Sequence, residues 1–194
     1  MADRVLRVST AAVLAVGLTL AGVAAREEPV ELLFYFTVQV DLAYLVVLLA
    51  GCGDRVRTAL TVYLVGTAVV FVLVLVNPWS GYAMVAIPEA RGLVSDAGNL
   101  LLHAVVPPLA AAQWLNRRPR AALRPAYAVG LLGYPLLWLT VILVRGAFGG
   151  RYLYPFLDVP RLGYPTVALN ALLFGVTVLL IALTAVRLTQ RRTG

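Results

Sequence analysis

Residues 34–52 read FYFTVQVDLAYLVVLLAGC and contain a single charged side chain, Asp41. A helix of about 20 such residues crosses about 30 Å of hydrocarbon, so with its neighbours from Leu32 this run is long enough to span a membrane. It is continuously apolar rather than alternating, which favours a helix over a barrel strand. Its polar residues, Thr37, Gln39 and Asp41, fall in its first half, where a lipid-facing helix has least use for them.

The rest of the chain has the same character. Of 194 residues 61% are hydrophobic and 13% charged, and the mean hydropathy is +0.89. A water-soluble domain of this length needs more polar surface, so the composition predicts an all-α, polytopic membrane protein forming one domain. Cutting the apolar runs at charges and Pro/Gly clusters predicts six transmembrane helices in one bundle, at about 5–25, 32–52, 58–76, 96–115, 126–145 and 163–186.

All sixteen basic residues are arginines, which points to a GC-rich bacterial genome. Arg4, Arg7, Arg55, Arg57, Arg117, Arg118, Arg120, Arg124, Arg187, Arg191 and Arg192 fall on one side of this plan; Arg26, Arg91, Arg145, Arg151 and Arg161 fall on the other. The richer side is expected in the cytoplasm, with both termini, and the membrane is expected to be the plasma (inner) membrane. The net charge of +7 is then topological bias plus attraction to anionic lipid headgroups, and nucleic acid is not an expected partner. The first segment also has the arginines, apolar core and AGVAA of a signal peptide, although its run is long for one. Cys52 is the only cysteine, and no paired-histidine signature or phosphate-cradling glycine loop is present, so neither metal nor cofactor is expected.

In this plan Thr37 lies about 8 Å below the outer start of the second segment, with Asp41 one turn deeper on the same face. His103, the only histidine, lies about 10 Å below the start of the fourth segment. Asp96, Asn99 and His103 make one polar stripe at i, i+3 and i+7. A hydroxyl and an imidazole at matching depth can perform nucleophilic catalysis, the imidazole taking the hydroxyl proton as oxygen attacks an acyl carbon. Asp41, Asn99 or Asp96 could orient the ring. The bland reading is that Thr37 bonds its own i−4 carbonyl and His103 bridges helices structurally. Pro107 and Pro108 should kink the fourth helix beside the histidine.

Two outer loops frame this region. NPWSGYAMVAIPEARGLVSD, residues 77–96, suits an interfacial flap. GAFGGRYLYPFLDVPRLGYP, residues 146–165, reads as an aromatic belt with a prolyl turn; its functional version makes Arg145, Arg151 or Arg161 the binder of a carboxylate or phosphate, with Tyr154 and Asp158 beside it.

Three stretches together resemble one known family. FYFTVQVDLAYL is similar to the "tyrosine, any residue, threonine" start of the second helix in the androgen-induced and androgen-dependent TFPI-regulating membrane proteins. GNLLLHAVVPPL resembles their histidine helix, and GGRYLYPFLDV their "tyrosine, proline, phenylalanine, leucine, acid" loop. The resemblance implies a six-helix lipid hydrolase acting on fatty acid esters of hydroxy fatty acids, with its threonine nucleophile at Thr37 and its histidine at His103. Family members often carry a second histidine and a threonine where this chain has Leu100 and Ala104. The leading expectation is therefore an intramembrane hydrolase of fatty acyl esters facing the outer leaflet. The alternative is a lipid-binding or transport protein in which Thr37, Asp41, Asn99 and His103 form a structural polar network.

Overall fold

The computed structural model describes residues 2–27, 29–84, 92–117, 121–149 and 151–193, and no strand occurs among them. The chain is all-helical. Six helical stretches carry the fold: α1 (Ala2–Ala24), α2 (Phe36–Ala50), α3 (Asp54–Val70 with Phe71–Leu75), α4 (Leu93–Leu100, Leu101–Val105 and Val106–Asn116), α5 (Pro125–Gly130 with Gly133–Ala147) and α6 (Val159–Thr193). All but α2 include a span long and apolar enough to cross a membrane. Leu49, Val72, Leu137, Leu172 and Leu180 are all more than half exposed. Water would penalise so much outward apolar surface, whereas lipid would not, so the bundle is compatible with a membrane-embedded protein.

Side-chain ties gather alternate helix ends. At one end Gln113 bonds Thr10, the Trp114 indole donates to Thr58 Oγ1 at 2.8 Å, and the Leu123 amide donates to Thr189 Oγ1 at 3.1 Å. At the other, Arg145 pairs with Glu31, Arg161 donates to the Gly81 carbonyl at 3.0 Å, and Asn170 donates to the Phe156 carbonyl at 2.9 Å. Consecutive helices therefore run in opposite directions. Helix α1 is a full member of the bundle: a Cβ at Gly98 on α4 would lie 3.3 Å from the Ala21 amide nitrogen, tighter than an ordinary contact, so the glycine eases the close approach of the two helices.

The helices differ from the sequence reading in three respects. α2 begins at Phe36 rather than near 32, after an extended Tyr35 (φ −72°, ψ 126°). α6 continues to Thr193 rather than ending near 186, and Gly163, at φ 75°, breaks its first turn from the long apolar part. α3 and α4 each contain a π-helical turn, Phe71–Leu75 and Leu101–Val105. The expected flap lies partly outside the described residues, as residues 85–91 do, and so do Arg91, Arg118 and Arg120.

Candidate active site

The site starts from the shortness of α2. Its 15 residues rise only about 22 Å, and the helix starts inside the apolar bundle, where Phe36 is 3% exposed. Irregular backbone at such depth is tolerated only when its polar groups are satisfied by protein. Gln39 Nε2 donates to the Leu33 carbonyl, and the Trp138 indole donates to the Phe34 carbonyl at 2.8 Å. Gln39 Oε1 in turn accepts from the Tyr134 hydroxyl. The glutamine that looked misplaced in the sequence thus pins the chain where it enters α2. Phe36 is held beside it by the rings of Tyr63, Tyr134, Trp138 and Phe174, with centroids 5.3–5.8 Å away.

Thr37 is consequently the second residue of α2, not about one and a half turns into a longer helix, and is buried at 5% exposure. The first amides of a helix have no carbonyl one turn earlier to bond. Thr37 therefore carries its hydroxyl in the turn whose first amides lack helical partners.

His103 comes from the π turn of α4. Pro107 and Pro108 follow directly in Val106–Asn116 and cannot donate to the carbonyls of residues 103 and 104, so the helix passes through the wider register in front of them. The expected kink takes this form. The imidazole stacks on Phe71, from the facing π turn of α3, with ring centroids 4.5 Å apart and planes at 23°. Nδ1 lies 3.1 Å from the Asn99 carbonyl, which can only accept, so the proton of the neutral ring sits on Nδ1. Nε2 is left bare and lies 3.1 Å from Thr37 Oγ1, so the threonine hydroxyl donates to it.

Thr37 and His103 both face a cavity of about 1100 Å³. Apolar side chains such as Leu32, Leu75, Val76 and Leu102 line it together with Arg26, Glu27, Asp96 and Arg151. A second hollow of about 30 Å³, walled by Phe36, Trp138, Phe156 and Phe174, meets the other side of the pair.

Of the expected site residues, Thr37, His103, Asn99, Asp96, Arg151 and Tyr154 converge on this cavity. Three do not. Arg145 is tied to Glu31 and to the Arg151 carbonyl at 3.0 Å and lies over the Phe34 ring, so it braces the loop rather than greeting a ligand. Asp158 accepts from the Arg161 amide at 3.3 Å, in the manner of a helix cap. Asp41 is fully buried one turn below Thr37, and neither carboxylate oxygen has a hydrogen-bond partner among the described residues. It does not orient His103. Asn99 does so, through its main chain and not its amide.

The sequence reading missed Phe71 altogether, because nothing in an apolar run distinguishes a ring that stacks on an imidazole from one that meets lipid. It placed Tyr154 in an aromatic belt, or beside a ligand, and not beside Thr37. Its ring packs on Tyr35, Trp138 and Phe156, at centroid distances of 5.6, 5.7 and 5.1 Å, and the residue lines both hollows together with Thr37. Burial pushes this phenol well above the usual tyrosine range, the neighbouring Tyr35 adding to the rise, while Thr37 and the Phe36 amide oppose it. No three His, Cys, Asp or Glu side chains cluster as metal ligands among the described residues.

No family model, curated protein or solved structure matches this chain.

Proposed function

We propose that the chain is an intramembrane hydrolase of fatty acyl esters, with Thr37 as nucleophile and His103 as general base. The single observation that carries this reading is the 3.1 Å contact between Thr37 Oγ1 and the unprotonated Nε2 of His103, with the ring's other nitrogen committed to Asn99. A threonine hydroxyl is a weak nucleophile until a base takes its proton. The similarity of FYFTVQVDLAYL, GNLLLHAVVPPL and GGRYLYPFLDV to a family of threonine-type lipid hydrolases supports the same pair.

The bookkeeping of the reaction is closed. As Oγ1 bonds to the acyl carbon, its proton passes to Nε2, and the resulting imidazolium keeps its Nδ1–H on the Asn99 carbonyl. Collapse of the tetrahedral intermediate breaks the bond to the alcohol oxygen, which leaves with the proton from Nε2. Water then attacks the acyl-threonine, gives a proton to Nε2, and releases the fatty acid as Thr37 recovers its hydrogen.

In this reading six helices span the plasma membrane, α2 together with the segment before it, with both termini cytoplasmic and the site toward the outer leaflet. The arginine bias supports that orientation. The acyl chain enters from lipid and lies in the large cavity, whose charged groups suit the polar part of the ester. The alternative of a lipid-binding protein with a merely structural network is served less well by a histidine whose free nitrogen faces a hydroxyl at a cavity wall.

A fluorophosphonate probe tests the reading. Purified protein should gain one adduct, mapped by mass spectrometry to Thr37, and a Thr37→Ala variant should gain none. Equal labelling of the two proteins would sink the assignment.

A further inference from the structure

The dyad accounts for proton transfer but not for the negative charge that builds on the ester carbonyl oxygen. That charge needs donors already in place, and they are usually worth more than any other single contribution. The buried group beside Thr37 that the dyad leaves unused is the hydroxyl of Tyr154, 7% exposed and lining both the large cavity and the small hollow together with Thr37.

We infer that Tyr154 is a further catalytic residue of the proposed hydrolase, its hydroxyl donating to the oxyanion alongside the first main-chain amides of α2. The inference rests on the hydrolase reading and adds to it.

Hydrogen-bond polarity supports it. The Nδ1 proton of His103 is committed to the Asn99 carbonyl, so Nε2 accepts and Thr37 donates. Tyr154 lines the same two hollows as Thr37 and His103, so its hydroxyl is a donor at the wall where the charge builds. Once Oγ1 has bonded to the acyl carbon, the carbonyl oxygen is attached to the same tetrahedral atom and comes within reach of the same donor. Packing fixes the ring between Tyr35, Trp138 and Phe156, so the donor is held in place before substrate arrives. A phenol kept neutral by burial remains a donor at pH values where an exposed tyrosine ionises.

Tyr154→Phe removes one oxygen and leaves the three ring contacts. Turnover of p-nitrophenyl octanoate by the full chain in detergent micelles should fall about 100-fold or more in kcat, with KM within about twofold and the melting temperature unchanged. A purely structural tyrosine would instead shift the melting temperature and leave kcat largely alone. If Tyr154→Phe kept kcat within about threefold while the wild-type protein was modified at Thr37, Tyr154 would lose its role and the dyad would stand. If the wild-type protein were unmodified at Thr37 and did not turn over the ester, the hydrolase reading would fail and this inference with it.

Discussion

The main-chain carbonyl of Asn99 stands 3.1 Å from Nδ1 of His103, one helical turn away on the same helix. Serine hydrolases commonly give this orienting task to a buried carboxylate. Here the chain has a buried carboxylate nearby, Asp41, and uses a peptide oxygen instead. A neutral acceptor fixes the tautomer without placing a second charge in an apolar bundle.

Because the ring is oriented by main chain, Asn99→Ala should leave ester turnover within about threefold of wild type, and His103→Ala should lower it by about 100-fold to 10,000-fold. Steady-state assays of the two purified variants check this. A loss in Asn99→Ala as large as in His103→Ala would mean that the amide side chain, not the carbonyl, acts on the ring.

Asp41 makes the complementary case. Its oxygens contact no hydrogen-bond partner among the described residues, and an unpaired buried charge is costly. Asp41→Asn should therefore keep turnover within about threefold and should not lower the melting temperature. A collapse of activity in a variant that remains folded would restore Asp41 to the catalytic group.

Pro107 holds the π turn open by withholding a donor from the carbonyl of His103. Pro107→Ala restores that donor and permits an ordinary α turn, which would rotate the imidazole away from Thr37. A displacement of about 1 Å costs about 100-fold in rate, so kcat should fall by at least tenfold. The melting temperature should hold or rise, because the helix interior gains a hydrogen bond. Undiminished kcat would mean that the turn is set by packing against Phe71 and not by proline.

Gly98 tests the contact between α1 and α4. A Cβ there would lie 3.3 Å from the Ala21 nitrogen, and main chain cannot step aside as a flexible side chain can. Gly98→Val should cost about 1–3 kcal/mol through overpacking, read as a lower melting temperature in detergent. Unchanged melting would show that α1 adjusts freely against α4.

Arg145 and Glu31 should behave as a coupled pair. Their side chains are only 22% and 27% exposed, and the arginine also holds the Arg151 carbonyl. Arg145→Ala and Glu31→Ala should each loosen the loop that carries Tyr154, and a double-mutant cycle on melting should give a coupling of about 0.5–3 kcal/mol. A change confined to KM for anionic esters would instead make Arg145 a ligand contact.

The apolar runs determined the helices. Burial in lipid demands internally satisfied backbone, so continuous hydrophobic stretches cut by arginines and prolines could be read as helices from composition alone. The sequence also selected Thr37 and His103, since a lone histidine and a threonine near the starts of two helices are conspicuous among leucines and valines. Their contact belongs to the tertiary structure. It depends on α2 beginning at Phe36, inside the bundle, which Gln39 and Trp138 permit by taking up carbonyls from residues 33 and 34. It depends equally on two π turns meeting face to face, so that Phe71 seats the imidazole. Periodicity along one chain carries no information about either, because both are settled by which side chains reach across from α5 and α3. The same reason separates Tyr154 from Arg145 and Asp158. All three lay in or beside one suggestive loop, and only packing decided that the tyrosine lines a hollow with Thr37, the arginine pairs with Glu31 and the aspartate accepts from the Arg161 amide.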